Sequence, residues 1–394
     1  MLSPQEANKL AQRLKSDWVL FSTAVAMVTF GIVMIYSASS AASIAGQSDA
    51  KINLTFHYAV RQIAWAVVSF AALMYFKRRD YRRLHTPAWA FGSLGVVLFL
   101  QLLVFFLDPK THRWFRLEGI GTFQPSEFGK PALIIFFAYF VTLKQDFINN
   151  RRTVIAAAMA LAILAASVGF GDLGTAIVLI LPAAIVFYVA GLQKKFVAAA
   201  LVVGMLACIG FVASKPYRMA RIIGFFDPDY TRISYFDPEG KIKKYVSQSV
   251  TTRDPGYQVR QSKIAVGSGG VIGLGLMQGK QKILYLPEAH TDFIYAVVGE
   301  ELGLFGCTAL LAGFLVILWR GLELCWITDD PFGRYLALGV TSSIVLQALI
   351  NMSVVLGMGP TKGIPLPMIS AGGSSLMSTM ICLGMLLSVS EHSG

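Results

Sequence analysis

Asp292 is the residue best placed to do chemistry, because it stands at the start of an apolar segment long enough to cross a membrane. An ionisable group at the mouth of a membrane helix is costly unless it is paired or faces water. A carboxylate that meets an aqueous cavity in partly apolar surroundings has a raised pKa, which suits a general base. The alternative is a helix cap, in which Thr291 or Asp292 accepts a free backbone N–H. His290 beside them is either a structural hydrogen-bonding residue or part of the same site.

A second group of polar residues follows the third apolar segment. Glu127 and Lys130 are three residues apart, so they can pair on one helix face, and Pro125 suits the first turn of that helix. One interpretation is a capped helix with Trp114 as an interfacial anchor. The other is a pocket on the outer face, in which Arg113 and Trp114 hold the phosphate and the sugar of a ligand.

The segment 359–375 is rich in proline, glycine and serine, which predicts a broken or re-entrant backbone at membrane depth. Such backbone is tolerated there only when it is buried in protein or lines a water-filled cavity. Lys362 would then be a cation for an anionic head group, whereas the alternative is helix packing through small residues. The polar Gln347 and Asn351 on the preceding span favour the cavity. Asp172, at another outer turn, either caps the span after it or joins this site.

Three further patterns narrow the chemistry. Glu300 and Glu301 lie inside a span, so at least one should face the bundle interior and pair with Lys or Arg. The glycine-rich run 267–275 matches neither a dinucleotide fingerprint nor a phosphate-binding loop, and it predicts a hairpin that packs close to the membrane or to substrate. The four cysteines are scattered without a CxxC pair, which argues against a disulfide scaffold or a zinc site.

The elements that position these residues are membrane helices. Of 394 residues 55% are hydrophobic and 14% are charged, against about 25% charged in a soluble domain. With a mean hydropathy of +0.61, the composition argues against a water-soluble enzyme and predicts an all-α polytopic membrane protein. Ten segments are apolar and long enough to span. They are 18–38, 58–76, 87–107, 129–143, 153–170, 173–191, 196–214, 291–319, 335–357 and 368–390.

The distribution of Lys and Arg predicts the orientation. With the N-terminus in the cytoplasm, the inside segments hold 15 basic residues and the short outside loops hold five. The net charge of +12 would suit a nucleic-acid partner, but this placement argues against one. The predicted organisation is a cytoplasmic N-terminal segment (1–17), seven transmembrane helices (18–214), a large extracytoplasmic loop of net charge +6 (215–290), three transmembrane helices (291–390) and a cytoplasmic tail (391–394).

Four stretches, 113–133, 171–176, 254–306 and 347–375, resemble the SEDS family (shape, elongation, division and sporulation; the RodA/FtsW/SpoVE family). The resemblance extends over essentially the whole chain, and the sequences PTKG and LPEAHTDF are more similar to the division members. It implies a peptidoglycan glycosyltransferase of the bacterial cytoplasmic (inner) membrane, with its active site on the extracytoplasmic face, that polymerises lipid II into glycan strands. It also implies a class B penicillin-binding protein, other divisome membrane proteins and membrane lipids as partners.

The resemblance implies a set of site residues as well. Asp292 corresponds to the essential outer-loop aspartate of the family. The implied substrate-binding residues are Arg113, Trp114, Glu127, Lys130, Asp172, Gln258, Ser262, His290, Lys362 and Ser370.

In the reaction that the resemblance implies, the donor is a sugar on a polyprenyl pyrophosphate and the acceptor is a sugar hydroxyl. The pyrophosphate leaves without protonation if cations offset its charge, whereas the attacking hydroxyl needs a base. We therefore expect Asp292 to act as that base in an inverting single displacement, with Lys and Arg stabilising the pyrophosphate. A divalent cation, Mg²⁺ or Mn²⁺, could share this task, although no ligand cluster in the sequence demonstrates one. The alternatives are a transporter or flippase for lipid-linked cell-wall precursors, and a non-catalytic scaffold that recruits a synthase.

Overall fold

A computed structural model describes residues 17–44, 50–108, 111–117, 121–169, 172–227, 237, 256–283, 285–360 and 362–393. This part of the chain is almost entirely helical, so the all-α fold class is confirmed. The helices are α1 (Trp18–Ile44), α2 (Ala50–Arg78), α3 (Pro87–Leu107), α4 (Pro125–Leu143), α5 (Arg151–Gly169), α6 (Leu173–Val189), α7 (Lys194–Ala213), α8 (Pro216–Phe226), α9 (Tyr257–Gly269), α10 (Ile294–Ile327), α11 (Pro331–Val355) and α12 (Gly373–His392).

Nine of the helices in the described residues are long and apolar enough to cross a membrane. They correspond to nine of the ten predicted spans. The sixth predicted span forms α6, which has only 17 residues and a length of about 25 Å. Most of the predicted segment 1–17 and much of the predicted loop 215–290 lie outside the described residues, although α8 and α9 belong to that loop.

Several helices begin at residues other than the predicted ones, and two of these differences affect the site. Helix α10 begins at Ile294, so Asp292 precedes the helix instead of lying inside it. Helix α12 begins at Gly373, because Met368 has a φ of +66° and the turn that contains it cannot continue as a right-handed helix. Helix α4 begins at Pro125, four residues before its predicted start, because proline at the first helical position needs no hydrogen-bond partner.

A short hairpin in the outer segment before α4 was not predicted. Strand β1 (Phe115–Leu117) pairs antiparallel with β2 (Gly121–Phe123), with Phe115 opposite Phe123. The hairpin joins Trp114 at one end to Gln124 at the other, so it brings the loop after α3 to the first turn of α4.

The centre of the bundle is formed by α4, α11 and α12, which are mostly buried. Helix α11 packs against α4, α6, α10 and α12. In contrast, α7 has no buried residue and presents its apolar side chains outward, as expected of a helix surrounded by lipid. The polar groups on α4 and α11 therefore lie inside protein.

Helix α10 is kinked at Gly303, which has φ +62° and ψ −155°. The kink leaves main-chain carbonyls without their helical partners. Leu274 N–H donates to the carbonyl of Glu300 at 3.0 Å, and Gly275 N–H donates to that of Glu301 at 2.9 Å. The turn after α9 thus replaces the hydrogen bonds that the kink removes.

The predicted glycine-rich hairpin needs correction. Residues 267–269 complete α9, and only the glycines from Gly270 onward form a turn. This turn packs against the α10 main chain and not against a ligand cavity: a Cβ on Gly273 would lie 2.2 Å from the carbonyl oxygen of Glu301. Glycine is therefore required at position 273 because the two backbones approach closely there.

The prediction that a glutamate in α10 pairs inside the bundle is confirmed. Lys282 Nζ lies 2.6 Å from Glu301 Oε1, and both side chains are buried. Ser37 of α1 donates to the same carboxylate at 2.6 Å. Glu300 accepts instead from the backbone N–H groups of Lys280 (2.7 Å) and Gln281 (3.0 Å). Both glutamates therefore tie the turn after α9 to α10.

Candidate functional site

A cavity of about 360 Å³ lies where the first turns of several helices meet. Its walls come from α2, the loop and hairpin before α4, the starts of α4, α6 and α12, the turn before α10 and the segment between α11 and α12. The lining residues are Tyr58, Arg61, Gln62, Trp65, Arg113, Trp114, Thr122, Gln124, Glu127, Asp172, Thr175, Glu288, His290, Thr291, Asp292, Gly363, Pro365, Ala371, Gly372, Gly373, Ser374 and Ser375. Alternate spans begin at the same membrane face, so these groups gather at one end of the bundle.

The turn before α10 presents Asp292 to the cavity. The carbonyl of Glu288, a residue with φ +56°, accepts the N–H groups of Thr291 (3.1 Å) and Phe293 (3.3 Å). Asn351 of α11 donates to the Asp292 main-chain oxygen at 2.8 Å. The helix-cap interpretation is wrong, because the residue at the cap is Phe293 and the Asp292 carboxylate accepts no hydrogen bond from any described residue. The backbone of the turn is therefore held, while the carboxylate lines the cavity.

The surroundings raise the pKa of the Asp292 carboxyl from its ordinary value to about 7. Burial of this half-buried group is the largest cause, followed by the nearby carboxylates of Glu288 and Asp172. The guanidinium groups of Arg113 and Arg221 act in the opposite direction. A carboxyl with a pKa near neutrality can accept a proton during a reaction and release it afterwards.

The loop after α3 places Arg113 and Trp114 at the cavity. Asp108, directly after α3, accepts a hydrogen bond from the Thr111 hydroxyl and longer ones from the N–H groups of Arg113 (3.5 Å) and Trp114 (3.4 Å). The Thr111 hydroxyl is the main reason that the pKa of Asp108 falls to about 2. The Arg113 guanidinium then reaches Asp172 at 3.0 Å. Asp108 was not identified from the sequence, where it appears only as the first polar residue after a span.

Asp172 both caps a helix and lines the cavity, so the two interpretations are compatible. Its carboxylate accepts from Gly174 N–H at 2.8 Å and from the Thr175 hydroxyl at 3.1 Å, at the start of α6. Lys362 is half-buried and does not line the cavity, although the negative charge of Asp172 is close enough to raise its pKa. Burial lowers the pKa of Lys362 to about 8. The lysine is therefore still mainly a cation at neutral pH.

Glu127 and Lys130 form the predicted pair, with 2.6 Å between Oε2 and Nζ, and both are almost fully buried. Lys130 also donates to Gln347 Oε1 at 2.7 Å. Gln347 in turn donates to the Pro365 carbonyl at 2.7 Å. Glu127 contributes to the cavity wall, whereas Lys130 lies behind it and joins α4 to α11.

The segment between α11 and α12 is not helical over the described part of 358–372, in agreement with the predicted broken backbone. Asn351 donates to the Ile364 carbonyl at 2.7 Å, and Ser370 donates to the Thr291 carbonyl at 2.5 Å. Ser370 therefore ties this segment to the turn that carries Asp292, without itself lining the cavity.

Gln258 and Ser262 are not brought to the cavity. Both lie on α9, and the fully buried Ser262 hydroxyl donates to the Val355 carbonyl at 2.8 Å. Ser262 therefore contributes to the packing of α9 against the end of α11. The sequence placed these residues near the site only through the resemblance, and no local pattern indicated how α9 packs.

One wall of the cavity was missed by the sequence analysis. Tyr58, Arg61, Gln62 and Trp65 lie on one face of α2 at helical spacing. The aromatic ring of Tyr58 lies 5.0 Å from the ring of His290, which half-buries the histidine, and burial lowers the pKa of this imidazole. The sequence did contain a signal for this wall, because Tyr58, Arg61 and Gln62 are spaced i, i+3 and i+4. Hydropathy alone indicated only that the segment is a span.

A metal site is not supported by the residues of the cavity. Within the described ranges, no group of three or more His, Cys, Asp or Glu side chains is placed to hold an ion. The divalent cation expected as an option from the sequence stays a prediction, and the reaction proposed for the cavity uses only side chains of the chain.

Membrane-length helices around a charged cavity at one end of the bundle define a multi-pass membrane protein. The model of the FtsW, RodA and SpoVE family, described as "Cell cycle protein", matches residues 17–394. The chain therefore belongs to this family.

Relatives and solved structures agree with this assignment. A protein of Geobacter sulfurreducens named "Probable peptidoglycan glycosyltransferase FtsW" is 38% identical over 383 residues, which cover 95% of each chain. "Stage V sporulation protein E" of Bacillus subtilis is 35% identical over 97% of this chain and 99% of its own length. A chain in the structure described as "Structural coordination of polymerization and crosslinking by a peptidoglycan synthase complex" superposes with a TM-score of 0.70 at 26% identity, covering 95% of this chain and 97% of that one. The Thermus thermophilus rod shape determining protein RodA has the same fold, with a TM-score of 0.63 at 22% identity over 96% of this chain and 97% of its own.

Proposed function

We propose that this chain is a peptidoglycan glycosyltransferase that polymerises lipid II into glycan strands. The observation that carries the proposal is the Asp292 carboxylate, which lines the cavity, accepts no hydrogen bond from the described residues and has a pKa of about 7. The names of the Geobacter and Bacillus relatives and the family membership support the reaction and a role in cell division or spore formation.

In the proposed reaction, a hydroxyl oxygen of the acceptor sugar attacks the anomeric carbon of the donor. The bond from that carbon to the pyrophosphate oxygen breaks, and the polyprenyl pyrophosphate leaves with the bonding electrons. Asp292 takes the hydroxyl proton, and the configuration at the anomeric carbon is inverted. Arg61 and Arg113 line the same cavity and would stabilise the negative charge of the leaving group.

We place the cavity on the extracytoplasmic face of the bacterial cytoplasmic membrane. The stretch 77–83 supports this orientation, because it spans the end of α2 opposite to the cavity and carries five of the chain's basic residues. Lipid II and the growing glycan strand would then enter at the membrane surface.

We further propose a class B penicillin-binding protein as partner, in line with the synthase complex that contains the structural neighbour, together with other divisome membrane proteins.

The deciding experiment is polymerisation of lipid II by the purified full chain in detergent, alone and with a cognate transpeptidase, compared with lipid scrambling in liposomes. Glycan strands made by this chain would support the proposal, whereas scrambling without polymer would favour the transporter. The placement of the charged cavity at one end of the bundle favours polymerisation, because a carrier needs a polar path to both faces.

The pH dependence of polymerisation should report the ionisation of Asp292. The base acts only when deprotonated, so with a pKa of about 7 we expect the rate at pH 6 to be about tenfold below that at pH 8. Glu288→Gln removes a negative neighbour and should move the acid limb to lower pH. Arg113→Gln removes a positive neighbour and should move it to higher pH. Initial rates at subsaturating lipid II measure both shifts, and shifts of the same sign would contradict the assignment.

The fit between Gly363 and Asp292 gives a second prediction. A Cβ on Gly363 would lie 2.6 Å from Asp292 Oδ2, which forces the carboxylate away from its position. We therefore expect Gly363→Ala to reduce polymerisation at least about tenfold while the protein stays folded. Gly359→Ala is the matched control, because its Cβ would meet only Val354 Cγ2 at an ordinary 3.8 Å. Equal activity of the two variants would show that the carboxylate position is not critical.

A further inference from the structure

A dense group of basic residues lies at the end of the bundle opposite to the cavity. From Tyr58, beside the cavity, to Arg78 at its last residue, α2 rises about 30 Å, which is the thickness of the hydrocarbon core. The stretch 77–83, which spans this end of α2, holds Lys77, Arg78, Arg79, Arg82 and Arg83 against a single acidic residue, Asp80. A bias of this kind is common to cytoplasmic loops, so charge alone does not indicate a binding site.

The arginines differ in what they contact. Arg82 faces Asp80 at 3.6 Å and lies over the Tyr81 ring at 5.3 Å. Arg79 and Arg83 are exposed and form no ion pair with any described residue. Both instead line a cavity of about 60 Å³ at the junction of α2, α3 and α12.

This second cavity combines cationic and apolar groups. Its other lining residues are Tyr75, Phe76, Asp80, Tyr81, Leu84, Trp89, Met385 and Ser388. Tyr75 and Trp89 are 50% and 43% exposed, as is typical of aromatic residues at a membrane interface. The Arg79 guanidinium lies 4.9 Å from the centre of the Tyr75 ring, so this aromatic residue helps to hold the cation beside the cavity.

We propose that this cavity binds the head group of an anionic phospholipid of the cytoplasmic leaflet. Arg79 and Arg83 would contact the phosphate, because guanidinium groups match phosphate oxygens in charge and geometry. The apolar side chains beneath would contact the glycerol and the first carbons of the acyl chains. Basic pockets between membrane helices on the cytoplasmic side are suited to such lipids. About 30 Å of α2, from Tyr58 to Arg78, separates this site from the proposed catalytic cavity.

The test uses phosphatidylglycerol and phosphatidylcholine as probes. The purified full chain is delipidated, titrated with each lipid in detergent, and the bound lipids are counted by native mass spectrometry. The unmodified chain should retain phosphatidylglycerol in preference to phosphatidylcholine. In Arg79→Gln/Arg83→Gln, we expect phosphatidylglycerol binding to fall at least about tenfold, since each basic group near an anionic surface contributes about fivefold.

The matched control is Lys77→Gln/Arg78→Gln, which removes the same two charges from the same stretch. Neither side chain lines the cavity, and Lys77 lies over the Trp18 and Phe21 rings instead. This control variant should keep most of the binding. Equal loss in both double variants would overturn the proposal, because binding would then follow net charge alone. Displacement of the lipid by millimolar inorganic phosphate would also overturn it, because the site would then recognise free phosphate. Unchanged thermal unfolding in lipid-free detergent establishes that the variants are folded.

Discussion

Asp292→Asn is expected to reduce polymerisation of lipid II by about 10²- to 10⁴-fold, the range that a general base contributes. The substitution keeps the size and shape of the side chain but removes its ability to accept the hydroxyl proton. The backbone of the turn should stay in place, because Asn351 and Ser370 hold it through the main-chain oxygens of residues 292 and 291. The measurement is glycan product formed from lipid II by the purified variant.

Two controls separate loss of the base from loss of the fold. The variant should elute as the unmodified chain does in size-exclusion chromatography and unfold at the same temperature or higher, because it removes a half-buried carboxylate that accepts no hydrogen bond from the described residues. Glu288→Gln, four residues earlier on the same turn, should remain active. A fully active Asp292→Asn variant would eliminate Asp292 as the base.

Lys130→Met should destabilise the fold more than any of the substitutions at the cavity. It leaves the buried Glu127 carboxylate without its cation and removes the donor that Gln347 Oε1 accepts from. Breaking one side of a buried ion pair costs about 3–5 kcal/mol. We expect a fall of this size in the free energy of unfolding, measured by chemical denaturation in detergent micelles.

A second variant shows whether the loss comes from the unpaired charge. Lys130→Met/Glu127→Gln removes both charges and should recover a large part of the stability, whereas Lys194→Met, at an exposed lysine, should change little. If the double variant is as unstable as the single one, the packing of Lys130 matters more than its charge. Polymerisation by the recovered double variant would then report whether the Glu127 carboxylate itself is needed in the cavity wall.

The features that could be predicted from the sequence depend on local spacing. Hydropathy located nine membrane-length helices, because length and composition alone determine which segments can span. The Glu127–Lys130 pair followed from spacing on one helix. The cost of an unpaired charge inside a bundle indicated that Glu300 or Glu301 pairs with a basic residue, but not that the pair is Glu301 with Lys282. Asp292 was identified because a carboxylate at the mouth of a span has few stable environments.

The remainder depends on how distant segments pack. Ser262 contacts α11 and not the cavity, and Arg61 lines the cavity although it lies within a span. Asp108 organises the loop that carries Arg113, because its carboxylate accepts hydrogen bonds from backbone N–H groups of that loop. The residue type alone does not reveal these bonds. The start of α10 at Ile294 moved Asp292 out of the helix, because the left-handed Glu288 begins a turn that hydropathy cannot detect.

The kink in α10 determines where the neighbouring sequence can vary. The bonds that replace the missing helical ones join main-chain atoms only, so they do not depend on which side chains the turn carries. Val271 and Ile272 point outward, being 58% and 79% exposed, and should tolerate exchange for other apolar residues. Gly273 and Gly303 cannot be exchanged in this way, because a methyl group at either would push two backbones apart. Variation among natural sequences should therefore differ sharply along this short stretch, being free at the two exposed apolar positions and absent at the two glycines.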